Sequence, residues 1–308
     1  MINLFNINQH NVNTYNFTSL LHDRRISELE EKIADFVGAK YAVSLNSATS
    51  AIFLSLLNLK TKITIPSIIP PVVANAVITS GNELEFNDDI EWVGHSYCLY
   101  KADDYSIIDS AQELSKNQFA NHCNPNDLLI FSFYPTKPLG GCDGGMIVSN
   151  DYDKICQLRT LSFNGTTFSS NNWDRKIKTV GYKMYMNSIQ AEIIKQNFYS
   201  YTRKLDKLQC ICRYYNKNLN LKNSSNHLYR IHVKDNKKFL SYMKSNKVQC
   251  GIHYPALHKN TLYCTKNINL PLSEKEAETT ASIPYHELLT LPELEKITEL
   301  INNYDEHI

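Results

Sequence analysis

The first 150 residues alternate between apolar runs of strand length and segments of helical periodicity, and that alternation limits the fold more than any other feature. The strand candidates are "YAVSL", "KITIP", "LEF", "YCLY", "SIID", "LLIFSF" and "MIVS". Helical segments lie between some of them. "NSATSAIFLSLLNL" follows the first strand, with its helix starting near Thr49, and "PPVVANAVITSG" follows the second. Ahead of them, "DRRISELEEKIADFVGAK" puts Ile26, Leu29, Ile33 and Phe36 on one helical face, with Asp23 as N-cap and Gly38 as terminator. Strands alternating with helices predict an α/β protein with a largely parallel central sheet flanked by helices. After Gly181 the pattern predicts one long helix, "YMNSIQAEIIKQNFYSYTRKLDKLQCICRYYNKNL". A smaller C-terminal α+β domain follows: strand "LYRIHV", helix "NKKFLSYMKSN", strand "VQCGIHY", then a helix from Pro292 to Tyr304. The expected domains are residues 1–205 and 206–308. Asn-rich "NLKNSSNH" is the one linker-like stretch in the last third.

Charge and cysteine content narrow the class. Thirty-two basic residues against 31 acidic ones give a net charge of +1, so nothing electrostatic favours nucleic acid or an anionic membrane as partner. Of the eight cysteines, Cys210 and Cys212 stand two apart and no C-x-x-C pair exists, which argues against a zinc ribbon; no metal is expected. The N-terminal "MINLFNINQHNVNTYN" lacks a basic start followed by an apolar run, and no stretch is apolar enough to span a bilayer. The expectation is a reduced cytoplasmic protein.

Three pieces carry chemistry. In "FSFYPTKPLGGCDGGMIVSND" a strand-like run leads to Lys137, and four of the chain's ten glycines fall within the six residues 140–145. In "IIDSAQ", Asp109 stands at a strand end, where open sheets place functional side chains, though it could instead cap a helix at "SAQEL". In "NSATS", a helix N-terminus offers free N–H groups to a phosphate, or is simply capped. A lysine amine, a carboxylate and a phosphate cradle are the parts a pyridoxal phosphate (PLP) enzyme needs. The amine bonds the aldehyde and shuttles a proton, while the carboxylate keeps the pyridine nitrogen protonated.

The order of these motifs resembles that of the DegT/DnrJ/EryC1/StrS family of fold-type-I, PLP-dependent sugar aminotransferases, over nearly the whole chain. "ISELEEKIADFVGAKYAVSLNSATSAI", "IIDSAQEL", "FSFYPTKPLGGCDGGMIVSND", "VGYKMYMNSIQAEI" and "GIHYPALH" carry the resemblance. It implies that Lys137 is the Schiff-base lysine and that Asp109 pairs with the pyridine nitrogen. It further implies that Gln112 lies near the ring, and that Ala48, Thr49 and Ser132 hold the phosphate. The glycines behind Lys137 would let the backbone turn tightly. Tyr134 and His253 are expected at the substrate pocket; His258 is a weaker candidate. Lys183 would reach the phosphate in the neighbouring subunit of a homodimer with composite sites.

The implied activity is transfer of an amino group, with glutamate as expected donor, to a keto group of a nucleotide-linked sugar for polysaccharide or a glycosylated metabolite. Alternatives are a PLP-dependent sugar dehydratase, against which Lys137 argues because such members carry histidine there, and a regulatory PLP-binding protein. The chain departs from the family pattern in four places. Ala48 stands where glycine is common. Only Ile69 or Pro70 occupies the usual place of a ring-stacking aromatic. Lys183 and Tyr185 replace the common Asn and Arg. Between "LEFND" and "SIIDSA" the chain is much shortened, leaving "DDIEWVGHSYCLYKADDY".

Overall fold

The computed structural model describes residues 1–8, 10, 23–167, 175–264 and 268–304; part of the N-terminal stretch read above for a leader lies outside them. Helix α1 (Arg24–Val37) leads to β1 (Tyr41–Leu45), α2 (Ala48–Leu56), β2 (Lys62–Pro66), α3 (Pro71–Thr79) and β3 (Glu83–Asn87). Next come β4 (Tyr97–Lys101), β5 (Ser106–Asp109), the short α4 (Gln118–His122), β6 (Leu128–Ser132), β7 (Gly145–Ser149) and α5 (Tyr152–Ser162). The remainder is α6 (Ser188–Tyr199), α7 (Tyr201–Asn218), β8 (Tyr229–His232), α8 (Asn236–Ser245), α9 (Pro271–Thr279), β9 (Thr280–Ile283) and α10 (Leu291–Asn302). Among the described residues no helix is long and apolar enough to cross a membrane.

The α1 expectations hold. Asp23 accepts the Arg25 N–H, and Gly38 ends the helix in the left-handed region at φ 77°. Ile26, Leu29 and Ile33 are fully buried; Val37 joins them, while Phe36 packs edge-on against Phe198.

Among the described residues the largest sheet has the order β1-β7-β6-β5-β4. Its inner strands β6 and β7 are buried along nearly their whole length because both faces are covered. Along β6, Leu128 and Ile130 enter one core with α2 and α3, while Leu129 and Phe131 enter the other with α1 and α6. The result is the expected layering of helices around a central sheet. Strand direction differs from the expectation of a mostly parallel sheet. β5 is parallel to β6 and β2 to β3, but β7 is antiparallel to both β1 and β6, and β4 is antiparallel to β5. The reason at β4 is chain length. Only Ala102–Tyr105 separates β4 from β5, and a parallel crossover needs a dozen residues or more, so the chain can only turn back as a hairpin.

Other departures are local. The predicted long helix breaks at Ser200, whose backbone N–H donates to the Asn197 carbonyl in a tightened turn. Tyr201 then turns inward and its hydroxyl donates to the Leu114 carbonyl at 2.7 Å. The C-terminal core pairs β8 with β9, not with the predicted strand "VQCGIHY", which makes only isolated bridges, Val248 with Ile2 and Gly251 with Ser282. Within this core Ile2 packs beside Tyr215, Phe239 and Ile297, so the chain's start is part of its C-terminal unit.

Candidate active site

β1 and β6 both run antiparallel to β7, and β5 runs with β6, so the C-terminal ends of β1, β5 and β6 share one sheet edge. Each end delivers a residue singled out in the sequence. β1 leads through Asn46 and Ser47 into α2, whose first residues are Ala48 and Thr49; the Ser47 hydroxyl caps the Ser50 N–H at 3.1 Å. β5 ends at Asp109, and β6 ends at Ser132.

Lys137 rides on the loop joining β6 to β7. Tyr134-Pro135-Thr136-Lys137 forms a turn closed by the Lys137 N–H on the Tyr134 carbonyl (2.9 Å), with proline at its favoured second position. The glycines act at two contacts. A Cβ on Gly140 would overlap the Pro135 carbonyl, so the chain folds back against the lysine turn only without a side chain. A Cβ on Gly145 would lie 2.5 Å from the Ala48 nitrogen, so the start of β7 is pressed against the start of α2. One backbone contact thereby joins the lysine loop to the turn that opens α2.

Ala48, Thr49, Asp109, Gln112, Ser132, Tyr134, Lys137 and His253 all line one cleft of about 640 Å³. Asp109 is 4% exposed and is not a helix cap. Its Oδ1 accepts the Ala111 N–H (2.9 Å) and its Oδ2 accepts the Tyr97 hydroxyl (3.0 Å). Gln112 is clamped: the Gly94 N–H donates to its Oε1 (2.8 Å), and its Nε2 donates to the Tyr254 hydroxyl (3.1 Å). His253 meets Ser282 Oγ through Nδ1 at 2.9 Å.

Burial sets the charge states. It lowers the Lys137 amine to about 8 against the opposing pull of Asp109. It raises the Asp109 carboxyl, opposed by the Ala111 N–H, the Tyr97 hydroxyl and Lys137. Each partner favours the other's charge, yet desolvation is the larger effect on both. Burial, and then the charge of Lys137, lower His253 to about 4 and hold His227 well below the usual histidine range, so both rings are neutral at pH 7.

Two candidates lie elsewhere. Lys183 is exposed and does not line its own chain's cleft, although its segment runs beside the α2 turn, where the Asn46 N–H donates to the Met184 carbonyl. His258 is buried outside the cleft, between Ser67 Oγ (2.6 Å) and Glu274 Oε1 (3.1 Å). Ser67 is fully buried, and its contact with the buried His258 pins the 253–259 loop to the end of β2.

Sequence reading missed Trp92, Tyr97, Tyr254 and His227. Trp92 and Tyr254 wall the cleft with nearly parallel rings, 6.3 Å apart and 10° from coplanar. They supply the aromatic surface that "PSIIPP" lacks: Pro70 reaches the cleft, whereas Ile69 is core. His227 comes from the linker-like stretch, which is in fact anchored. Ser225 Oγ donates to the Gly94 carbonyl (2.9 Å) and accepts the His227 N–H (3.0 Å).

The chain matches the model of the DegT/DnrJ/EryC1/StrS aminotransferase family over residues 7–91 and 107–302. It belongs to that family. The activity is therefore that of a PLP-dependent aminotransferase. One relative is the UDP-4-amino-4,6-dideoxy-N-acetyl-beta-L-altrosamine transaminase of Campylobacter jejuni, 26% identical over 79% of this chain and 71% of the relative. Another is the UDP-2-acetamido-2-deoxy-3-oxo-D-glucuronate aminotransferase of Pseudomonas aeruginosa, 22% identical over 90% of each. The fold matches the crystal structure of the aminotransferase TlmJ from Streptoalloteichus hindustanus (TM-score 0.83, 18% identity, 98% of both chains). It also matches Helicobacter pylori PseC (TM-score 0.76, 20% identity, 93% of this chain and 92% of that one).

The aminotransferase's cleft fits the cofactor. A desolvated amine, a buried carboxylate with both oxygens oriented, and a helix start pressed on glycine backbone face one space. Its volume is in the usual range for ligand sites.

Proposed function

We propose that this aminotransferase moves an amino group from glutamate to a keto group of a nucleotide-linked sugar. The observation that carries the assignment of roles is that Lys137, Asp109 and the α2 N-terminus line the same cleft. The names of the relatives support the acceptor class. A regulatory, non-catalytic role is disfavoured by the match to the aminotransferase family and by the transaminases among the relatives.

In this reading the N–H groups of Ala48 and Thr49, with the Ser132 hydroxyl, hold the cofactor phosphate at the positive end of α2. Asp109 would pair with the ring nitrogen, and Gln112 would lie near the ring. Bound PLP supplies an electrophilic aldehyde and an electron sink. Lys137, with its amine lowered to about 8, has a neutral fraction at pH 7 that would allow it to bond that aldehyde. The same amine, once free, would carry the proton from the donor's α-carbon. Tyr134 and His253 border the sugar, with His253 neutral and able to hydrogen-bond without charge. Lys183 completes the phosphate site of a partner subunit in a two-fold homodimer. The protein works in the cytoplasm, and its two domains divide in the first turns of α7, residues 1–205 and 206–308, except that the N-terminal residues around Ile2 pack into the second.

The test is turnover with glutamate and a panel of nucleotide-linked keto sugars, followed by the formation of 2-oxoglutarate. Release of 2-oxoglutarate beyond one equivalent per active site only when a keto sugar is present supports the acceptor class. Equal turnover with unsugared keto acids, and none with the panel, refutes it.

A further inference from the structure

The reversal of β4 places Tyr97 and Asp109 directly opposite each other in an antiparallel pair, so their side chains lie on the same face of the sheet. The Tyr97 hydroxyl reaches Asp109 Oδ2 at 3.0 Å, and the Ala111 N–H reaches Oδ1 at 2.9 Å. Tyr97 is itself held. Trp92 packs edge-on against it, ring centroids 4.8 Å apart, and the Trp92 Nε1–H donates to the Ile68 carbonyl at 3.1 Å. Trp92 and Tyr97 both fall between residues 91 and 107, in the stretch that the family model leaves unmatched. The contact to Asp109 is thus built from this chain's own shortened segment.

We propose that Tyr97 is a positioning residue for Asp109, fixing the carboxylate's orientation and keeping it ionised so that it can pair with the protonated ring nitrogen of the cofactor. The proposal rests on the assignment of Asp109 to that nitrogen. A buried carboxylate loses its hydration, and hydrogen bonds to the charged form are what restore it. Three side chains from other elements face Asp109: Tyr97 from β4, Lys137 from the β6–β7 loop and Tyr254 from the 253–259 loop. Tyr254 is engaged by Gln112, and Lys137 is committed to the aldehyde side of the cofactor in the reading above. That leaves Tyr97 as the side chain hydrogen-bonded to Asp109. Burial and the adjacent carboxylate push its phenol well above the usual tyrosine range, so it remains a donor at any working pH.

The experiment compares wild type with Tyr97→Phe, Tyr100→Phe and Asp109→Asn, using no sugar acceptor. Two quantities are read: the dissociation constant of PLP from the apo-protein by absorbance titration, and the pH profile of the half-reaction with glutamate. Tyr97→Phe keeps the ring and the strand; the melting temperature of its apo-protein reports any purely structural effect separately. We expect weaker PLP binding, by about tenfold for one lost hydrogen bond to a charged group. The acid limb of the profile moves to higher pH, because a carboxyl without its donor holds its proton longer. Tyr100→Phe, on the same strand away from Asp109, moves neither. Unchanged binding and an unchanged acid limb in Tyr97→Phe, with Asp109→Asn impaired, overturn the role of Tyr97 alone. The same shifts in Tyr100→Phe assign them to the hairpin as a whole and also overturn it. Wild-type behaviour in Asp109→Asn removes the assignment of Asp109 and the proposal with it.

Discussion

Lys137→Met should make the apo-protein more stable while destroying its activity. The amine falls from the usual 10.5 to about 8 because burial strips its hydration, and Asp109 only partly compensates. At about 1.4 kcal/mol per pKa unit, that depression is a cost to the folded state of about 3 kcal/mol. The side chain opens onto a cleft that water reaches, so this is a ceiling. The sign follows from which state binds the proton more tightly. Below about 8 the amine is charged in both the folded and unfolded chains, and the full cost is present. Between about 8 and 10.5 the folded state sheds the proton first, so the cost fades; above 10.5 it is gone. Methionine keeps the length and the apolar stem without the charge. For 308 residues the unfolding entropy is about 0.65 kcal/mol per degree, so the variant should melt up to about 5 °C higher than wild type at pH 7. The assay is a pair of apo-protein melting curves at a series of pH values from 7 to 10.5. The gap should be widest at neutral pH and close as pH rises. A variant that melts no higher at pH 7, or a gap indifferent to pH, would show that Lys137 is ordinarily hydrated.

Borohydride reduction of the PLP-loaded protein should fix the cofactor to the peptide containing Lys137; mass found on any other lysine refutes the assignment. Asp109→Asn should keep the fold by circular dichroism and lose at least ~100-fold in turnover, the scale of removing one charge-stabilising group; a loss of only a few-fold would make Asp109 structural. Gly145→Ala should weaken PLP binding, because the new Cβ pushes on the Ser47–Ala48 backbone at 2.5 Å, and an unchanged PLP titration would show that the α2 turn yields freely. Lys137→Ala and Lys183→Ala homodimers should each be impaired, yet recover activity when mixed under exchange, since one site of each hybrid is then wild type. If Lys183→Ala is itself inactive and verified hybrids stay inactive, Lys183 does not serve a partner's site.

The parts of the site most legible in the sequence were those made within one short segment. The α2 start after β1, the aspartate ending β5 and the lysine before the glycine cluster each sit in one run of residues, and local patterning exposes such runs. What stayed hidden was made by distant pairing. Tyr254 matters through Gln112, 142 residues away, and Ser225 anchors His227 through Gly94, across 131 residues. Composition made "NLKNSSNH" look like a linker because asparagine and serine favour turns, and the same side chains serve as anchors once a buried partner exists. The antiparallel β4 was in principle readable. "KADDY" is too short for a crossover, and alternation of strand and helix alone does not report connection length. β9 escaped because "TASI" is four residues long and abuts a proline, too short a run for its polar–apolar alternation to stand out, and all four residues are buried whatever their polarity.

The sheet order has a consequence for biosynthesis. β1 finds its strand partner in β7, Tyr41 opposite Ser149 and Leu45 opposite Gly145, so the strand leading to the α2 turn emerges from the ribosome roughly a hundred residues ahead of its mate. At ~5–20 residues per second that is a wait of about 5–20 s with a largely apolar strand left unpaired. During that interval the nascent chain is a candidate for chaperone capture, and slowing translation between residues 45 and 145 should lower the yield of folded protein more than slowing it after residue 150.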